Sequence, residues 1–464
     1  MKKRYYLIGV GGIAMSNLAV LLKKRGHVVA GSDTDTFEPA LSLLKRAGVI
    51  RYPEHSAARL RAFRPDIVVV GNAINRGNPV LEAALDANIP YRSLPEVIRD
   101  EIIADRKAVV ITGTSGKTTT TALTAWILRS AGMRPWALVG GVVNNFGSGH
   151  LVGGGSWAVI EGDEYMSSFW DVRSKFLHYR PYIGLVNNIG RDHVDLFPRI
   201  ADAVASFRTF ARLVPSKGVL LVNRRDRNAS SLAGISSAVR HFGGAHDIHA
   251  RDVAFGPEGI TFTAMDGSRK LGTVRSSLLG RHNAENIVAA IAVARAAGVP
   301  FRKIAPAIAS FAGVKRRLET LYENGRIRIV DDFGHNPVKV ASSLAALRAH
   351  FPRAHITVIF EPRTPSSRRK AFQTKYPAAF RRADAAYIAE PYKKSLLKKR
   401  EQFSSARLVS DLKRRGLAAF LMTDADRIVR HAFANLPPDR HCIVVTMSSG
   451  DFGGIRNKLV ARAR

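Results

Sequence analysis

Residues 113–120, GTSGKTTT, place glycines, a lysine and hydroxyl side chains in the order that a phosphate-binding loop requires. Glycines let backbone N–H groups turn inward around phosphate oxygens, and a helix that begins directly after them points its positive end at the anion. Lys117 would add a cation, and the Thr118 hydroxyl an oxygen ligand for Mg²⁺. The pattern predicts a nucleotide site formed by Gly113, Thr114, Gly116, Lys117, Thr118 and Thr119.

This loop departs from the commonest form of the motif, which has a further glycine five residues before Gly116, where Ile111 stands here. We therefore expect a shorter variant of the loop. The alternative is a glycine-rich structural turn. A β-branched strand before the loop and an apolar helical pattern after it favour the nucleotide site.

A second glycine turn, GVGGIA at residues 9–14, follows the first apolar strand of the chain. It fits the fingerprint of a dinucleotide-binding turn, with Asp33 as the acidic residue after the next strand. A tight strand–helix turn without a ligand is the alternative. Two nucleotide-type turns in separate segments match neither a simple dehydrogenase nor a simple kinase.

The elements that would position both turns alternate between strands and helices, which predicts an α/β fold with mainly parallel sheets. The expected strands include residues 5–9, 28–30, 67–71, 108–112, 158–161, 182–188, 219–223, 327–330, 356–360 and 442–447, and a helix is expected around 283–297. The pattern divides into segments 1–106, 107–314 and 315–464, which we interpret as three domains.

The net charge, the cysteine count and the lengths of the apolar runs limit the classes of protein to which the chain can belong. The chain has 464 residues and a formal net charge of +34, with its basic residues scattered and densest from Arg363 to Arg400. The charge alone would suggest nucleic-acid binding, but this zone lacks the aromatic spacing of a single-strand binder, so we do not expect a nucleic-acid partner. Attraction to anionic substrates such as nucleotides is compatible with the same charge. Cys442 is the only cysteine, and no apolar run reaches bilayer length, so we expect a cytoplasmic protein without membrane association.

Several motifs together resemble the muramyl ligases of peptidoglycan synthesis. The loop at 113–120 is similar to that family's ATP loop, GRHNAEN at 280–286 to its adenine-side motif, KRRLE at 315–319 to its domain junction, and DDFGHNP at 331–337 to its C-terminal segment. The motifs occur in family order along nearly the whole chain. The resemblance implies a Rossmann-like N-terminal domain that binds a UDP-sugar, a central ATPase-like domain with the phosphate loop, and a Rossmann-like C-terminal domain that binds the acceptor.

Within the family, three stretches resemble the murein peptide ligase branch: EGDEY at 161–165 with DVRSKF at 171–176, EPR at 361–363, and MSSGDFGGI at 447–455. The resemblance implies a bacterial, ATP- and Mg²⁺-dependent ligase that joins UDP-N-acetylmuramate to L-alanyl-γ-D-glutamyl-meso-diaminopimelate through an acyl phosphate, in peptidoglycan recycling. The alternative within the family is the UDP-N-acetylmuramate–L-alanine ligase. An alternative of another class is a non-catalytic nucleotide- or nucleic-acid-binding protein on the same fold.

The resemblance also assigns roles to individual residues. The implied catalytic residues are Lys117, Glu161, His193 and Arg317; the implied metal ligands or their partners are Thr118, Glu161 and His193. Asn283, Asn286, Asp332 and His335 would contact the nucleotide, and Gly11, Gly12, Asp33, Asn72, Arg173 and Arg363 the other substrates. Departures from the family pattern at Ser115, Met166, Gly190, Asn336 and Asp451 leave Lys117, Thr118, Glu161 and His193 intact.

Overall fold

The computed structural model describes residues 1–190, 196–235, 238–364, 366–394 and 397–464. The chain divides into two compact units. The first comprises residues 1–252, 262–275 and 285–312, and the second comprises residues 253–261, 276–284 and 313–464. Among the described residues, no helix is both long enough and apolar enough to cross a bilayer.

The N-terminal part of the first unit is a five-stranded parallel sheet with the strand order β3-β2-β1-β4-β5. Its strands are β1 (Arg4–Ile8), β2 (Val28–Ser32), β3 (Ile50–Tyr52), β4 (Ile67–Val70) and β5 (Tyr91–Ser93). Its helices are α1 (Ile13–Lys24), α2 (Ala40–Arg46), α3 (Ala57–Phe63), α4 (Pro79–Asp86) and α5 (Leu94–Val97), the last continued by a π-helical turn, Ile98–Ile103.

The middle of the chain forms a ten-stranded sheet with the order β17-β16-β15-β14-β13-β12-β6-β9-β7-β8. Its strands are β6 (Lys107–Thr112), β7 (Trp136–Val143), β8 (Ser148–Leu151), β9 (Trp157–Glu161), β12 (Pro181–Val186), β13 (Val219–Asn223), β14 (Val239–Phe242), β15 (Ile248–Gly256), β16 (Gly259–Asp266) and β17 (Arg269–Ser276), with β10 (Met166–Ser168) and β11 (Asp171–Ser174) forming a separate hairpin. The helices are α6 (Lys117–Ser130), α7 (Ile200–Arg212), α8 (Arg227–Ser230), α9 (Arg281–Ala296) and α10 (Phe301–Ala309).

The C-terminal part is a six-stranded sheet, β18-β19-β23-β20-β21-β22, in which only the edge strand β18 runs antiparallel. Its strands are β18 (Glu319–Glu323), β19 (Ile327–Asp332), β20 (His355–Phe360), β21 (Ala385–Ile388), β22 (Ala418–Leu421) and β23 (Cys442–Met447). Its helices are α11 (Pro337–His350), α12 (Tyr376–Ala379), α13 (Ser405–Lys413), α14 (Ala425–Ala434) and α15 (Ile455–Ala463).

The strands at the centre of these sheets are mostly apolar and buried, because a parallel sheet covered by helices buries both faces. In β6 every residue after Lys107 is buried, and in β23 all six residues are. The predicted α/β class with mainly parallel sheets is therefore confirmed. Each predicted strand overlaps an observed one, and the helix expected around 283–297 is α9, which begins two residues earlier.

Candidate functional site

The phosphate loop connects the carboxyl end of β6 to the first turn of α6, as the sequence predicts. Gly113 and Gly116 have φ angles of 137° and 83°. Residues with a side chain adopt such positive angles only at a cost in conformational energy, which glycine does not incur. A Cβ on Gly116 would lie 2.2 Å from Oδ1 of Asn286 and 2.5 Å from Nδ2 of Asn187. Both the backbone angle and the surrounding atoms therefore require glycine at this position.

Two asparagines at the end of the neighbouring strand β12 hold the loop in place. The Nδ2 atoms of Asn187 and Asn188 donate to the Ser115 carbonyl at 3.2 and 3.0 Å, and Oδ1 of Asn188 accepts from the Ser115 N–H at 2.8 Å. The Thr114 N–H donates to the Asn188 carbonyl at 3.0 Å. Neither asparagine is among the predicted site residues. The signal that could have found it is two amides directly after an apolar strand that lies beside β6.

Lys117 points back into its own loop. Its Nζ donates to the Gly113 carbonyl at 2.8 Å and to Oε2 of Glu164 at 2.5 Å. Burial alone would lower the pKa of Lys117, but the nearby carboxylates, Glu164 and then Asp163, raise it above its ordinary value. The lysine is therefore a permanent cation at the loop. Glu164 lies in the EGDEY stretch that resembles one branch of the muramyl ligases, but its pairing with this lysine was not predicted.

Thr118 and Glu161, both predicted to serve a metal ion, lie in direct contact. The Thr118 hydroxyl donates to Oε1 of Glu161 at 2.8 Å, and the Gly140 N–H donates to Oε2 at 2.6 Å. Burial raises the pKa of Glu161, an effect that Lys117 opposes. A hydroxyl and a carboxylate held together beside a phosphate loop are the oxygen donors that Mg²⁺ prefers, so these residues fit the ion.

A second ion pair lies beside the first, on the chain that follows β9. Nζ of Lys175 donates to Oδ2 of Asp163 at 2.8 Å. Burial would raise the pKa of Asp163, but Lys175 and then Lys117 hold it at about 2. Three acidic residues within four positions thus border the loop lysine.

The third residue predicted for the metal, His193, lies in segment 191–195, outside the described residues. Among the described residues, no group of three or more His, Cys, Asp or Glu side chains is arranged to hold a metal ion. Of the predicted set Thr118, Glu161 and His193, only Glu161 is a residue of these four types within the described range.

The two adenine-side asparagines both have buried side chains that bond to protein atoms. Oδ1 of Asn286 accepts from Nδ2 of Asn187 at 3.0 Å, which joins α9 to the residues that hold the phosphate loop. Nδ2 of Asn283 donates to the Leu279 carbonyl at 2.9 Å. Their contact with adenine remains a prediction.

In the second unit, Asp332 organises the turn that follows β19. Its carboxylate accepts from the N–H groups of Leu318 at 3.0 Å and Gly334 at 2.8 Å and from the Ser343 hydroxyl at 2.9 Å. Nδ1 of His335 lies 3.0 Å from the Phe333 carbonyl. The guanidinium of Arg317 lies 5.2 Å from the centre of the Phe333 ring. The structure therefore groups Arg317, Asp332 and His335 around one turn of this unit.

Arg363, predicted to grip a substrate carboxylate, is half-buried. Its guanidinium stacks 3.7 Å from the centre of the Tyr392 ring, and Nη1 lies 3.4 Å from Oε1 of Glu361. Arg173 in the first unit is more exposed and forms a two-point ion pair with Asp171, at 2.8 Å for each bond.

The first glycine turn and its predicted acidic partner are also in contact. Oδ2 of Asp33 accepts from the Gly11 N–H at 2.8 Å, and Gly12 precedes α1 in extended conformation. Asn72 lies half-buried two residues after β4, whose neighbour in the sheet is β1. Gly11, Gly12, Asp33 and Asn72 thus lie at the carboxyl ends of parallel strands, where ligands bind in open α/β sheets.

The fold and this loop define the class: an α/β nucleotide-binding enzyme whose phosphate loop combines one cation with a carboxylate–hydroxyl pair. Three family models match in order along the chain: "Mur ligase family, catalytic domain" at 4–106, "Mur ligase middle domain" at 111–294, and "Mur ligase, glutamate ligase domain" at 316–450. The chain belongs to the Mur ligase family. It accordingly has the three-domain architecture of that family and is an ATP-dependent ligase of amino acids or peptides that forms ADP and acts on peptidoglycan precursors.

The names of curated relatives that match this chain state two different reactions. The chain is 32% identical over 466 residues to the UDP-N-acetylmuramate–L-alanyl-γ-D-glutamyl-meso-2,6-diaminoheptandioate ligase of Haemophilus influenzae, covering 100% of this chain and 99% of that one. It is 34% identical over 395 residues to the UDP-N-acetylmuramate–L-alanine ligase of Desulforapulum autotrophicum, covering 83% of each. The crystal structure of the UDP-N-acetylmuramate–alanine ligase of Thermotoga maritima superposes with a TM-score of 0.83 over 99% of both chains at 21% identity, which shows a common fold.

Proposed function

We propose that the chain joins the carboxylate of UDP-N-acetylmuramate to the amine of L-alanyl-γ-D-glutamyl-meso-diaminopimelate. The observation that carries this proposal is the end-to-end match with the Haemophilus influenzae tripeptide ligase, whose name states that reaction. The stretches at 161–165, 361–363 and 447–455 support the same branch. The L-alanine ligase remains the second candidate, because its Desulforapulum autotrophicum representative is 34% identical over 83% of this chain.

The chemistry explains why the loop carries both a cation and metal-binding oxygens. A carboxylate is a poor acyl donor, and ATP when bound supplies the phosphoryl group that turns one of its oxygens into a leaving group. Two anionic groups must approach each other, so positive charge is needed where they meet. Lys117 supplies a buried ammonium at the Gly113 carbonyl, and the loop N–H groups add their dipoles.

We assign Mg²⁺ binding to Thr118 and Glu161, with His193 as a third partner. The contact between the Thr118 hydroxyl and Glu161 supports the first two residues. The burial that raises the pKa of the Glu161 carboxyl also makes a bound cation favourable there, because the cation would offset the cost of the buried negative charge.

We assign acceptor binding to the C-terminal segment and UDP-sugar binding to the N-terminal one, with domains at 1–106, 107–314 and 315–464. Arg363 would pair with a carboxylate of the tripeptide, since its planar fork suits two-point bonding and its contact with Glu361 is long, 3.4 Å. Gly11, Gly12, Asp33 and Asn72 would contact the UDP-sugar, and Arg173 the substrates near the β10–β11 hairpin. Arg317, Asp332 and His335 would contact ATP.

An acceptor panel tests the proposal. Phosphate release is measured with ATP, Mg²⁺ and UDP-N-acetylmuramate, and with the diaminopimelate tripeptide, the corresponding lysine tripeptide or L-alanine as the amine. We expect the highest kcat/KM with the diaminopimelate tripeptide and loss of release in Lys117→Ala. Preference for L-alanine would replace this proposal by the second candidate, and undiminished release by Lys117→Ala would refute the role of the lysine.

A further inference from the structure

A cleft with a volume of about 330 Å³ lies at the amino end of β6, the opposite end of this strand from the phosphate loop. It is lined by three chain segments of the first unit: residues 105–108, residues 180–182, and Leu213 with Pro215. β6 spans six residues, so its two ends are about 17 Å apart. The cleft is therefore separate from the nucleotide site, and none of the predicted site residues lines it.

The cleft carries an excess of positive charge. Three of its residues, Arg106, Lys107 and Arg180, are cationic, and Asp105 is the one acidic residue among the lining residues. Asp105 pairs with Arg106 at 3.4 Å and is 88% exposed. Within the described parts of the chain, neither Lys107 nor Arg180 has a carboxylate within 4.0 Å. Two cations are thus available to an anion.

Two of the cations make contacts that restrict their side chains, although Lys107 is exposed. The Lys107 ammonium lies 4.6 Å from the centre of the Tyr182 ring and 5.8 Å from that of Trp157. Nη1 of Arg106 donates to the Ile102 carbonyl at 3.1 Å, and its guanidinium lies 4.9 Å from the Trp136 ring. Contacts of this kind reduce the side-chain freedom that would be lost on binding a ligand.

The backbone that carries the third cation is itself unusual. Arg180 has a φ of 41°, and Ala104, which directly precedes the cleft residue Asp105, has a φ of 39°. Residues other than glycine adopt this conformation at a cost, and such positions concentrate at functional sites. The two chain segments that carry the three cations therefore each contain a residue in this conformation.

The rest of the cleft surface is formed mainly by rings and an aliphatic side chain. Tyr182, Pro181, Pro215 and Leu213 contribute a ring face, two proline rings and an aliphatic side chain. Small-molecule sites of this size combine such surfaces with a few directed charges. We propose that the cleft is a second ligand site that binds a small phosphate-bearing molecule with a flat ring, its phosphate at Lys107 and Arg180 and its ring against Tyr182 and the prolines.

Calorimetric titration of the full chain with phenyl phosphate tests this site, with the phosphate loop kept saturated by Mg²⁺ and a non-hydrolysable ATP analogue. We expect one phenyl phosphate per chain, bound more tightly than either inorganic phosphate or p-cresol. The double variant Lys107→Gln/Arg180→Gln should bind it on the order of tenfold more weakly or worse, because two charge-assisted contacts are lost. The matched control Lys45→Gln/Arg46→Gln removes one exposed lysine and one exposed arginine from α2 and should bind like wild type.

Equal weakening in the two double variants would assign the binding to overall charge and overturn the proposal. Binding of inorganic phosphate as tightly as phenyl phosphate would overturn the role of the ring wall, and no binding with the loop saturated would overturn the site. Should the first double variant fail to fold, Leu213→Glu adds a carboxylate at a 40% exposed lining position and should abolish phenyl phosphate binding. Unchanged affinity in that variant would equally refute the site.

Discussion

The ammonium nitrogen of Lys117 lies 2.5 Å from Oε2 of Glu164, and only 13% and 4% of the two side-chain surfaces are exposed. The loop cation is thus already neutralised by a carboxylate of its own chain. A phosphate oxygen that binds this lysine must share or replace that partner. The ion pair therefore couples the stability of the loop to the presence of a nucleotide.

Glu164→Gln should reveal this coupling. Removal of one partner leaves a buried charge poorly compensated, so we expect a loss of about 3 kcal/mol in the free energy of unfolding, measured by urea denaturation. Mg²⁺ with a non-hydrolysable ATP analogue should raise the Tm of the variant more than that of wild type, because phosphate then takes the place of the missing carboxylate. Glu82→Gln, which removes the half-buried partner of the exposed Arg76, is the control and should lose much less stability than Glu164→Gln. An equal rise of Tm in Glu164→Gln and wild type would disprove the coupling.

The contact between Thr118 and Glu161 predicts that these two residues act as a unit. Glu161→Gln and Thr118→Val should each lower kcat by about 10²–10³-fold and raise the Mg²⁺ concentration needed for half-maximal phosphate release. Thr118→Ser keeps the hydroxyl and should retain most of the activity. The double variant Glu161→Gln/Thr118→Val should be about as slow as either single variant. Effects that multiply in the double variant would show that the residues act independently.

A comparison of Gly116 with Gly132 distinguishes two reasons why a position requires glycine: the backbone angle and the lack of space for a Cβ atom. Both have φ near +85°, but a Cβ on Gly132 meets no atom within 4 Å, whereas on Gly116 it would lie 2.2 Å from Asn286. Gly132→Ala should cost about 1 kcal/mol of stability in urea denaturation and leave phosphate release unchanged. Gly116→Ala should cost more and abolish ATP-analogue binding, because the loop must move away from Asn187 and Asn286. Equal losses of stability and of ATP-analogue binding in the two variants would mean that the backbone angle alone requires glycine at Gly116.

The buried imidazole of His150 should make the free energy of unfolding depend on pH. Burial lowers its pKa to about 4, and its Nδ1 lies 2.7 Å from Oδ1 of Asn17, an atom that can only accept a hydrogen bond, so the ring is neutral with a proton on Nδ1. Since the folded pKa lies below the ordinary value of about 6.5, the histidine contributes stability above that pH and loses it as the pH falls toward 4. The free energy of unfolding should drop by about 2 kcal/mol more in wild type than in His150→Gln between pH 7 and pH 5. Identical pH profiles would show that this histidine does not titrate as described.

Local sequence was sufficient to predict the strands and helices around the phosphate loop and the phosphate-binding side chains that they carry. The apolar run at 108–112, the glycines after it and the adjoining Lys117 and Thr118 predicted the strand, the turn and the helix start, because these depend on neighbouring residues alone. The turn at 9–14 contacts Asp33 because β1 and β2 are neighbours in a parallel sheet, which brings their carboxyl ends together.

Only the tertiary structure decided which distant side chains meet at the loop. Glu164 reaches Lys117 across 47 positions, and Asn187 and Asn188 reach Ser115 across more than 70, because the sheet places β9 and β12 on either side of β6. Nothing in the local pattern of an acidic or amide residue distinguishes a solvated side chain from one that neutralises a buried lysine. Strand order makes that distinction, since it sets which strand ends are neighbours, and strand order is a property of the packed chain.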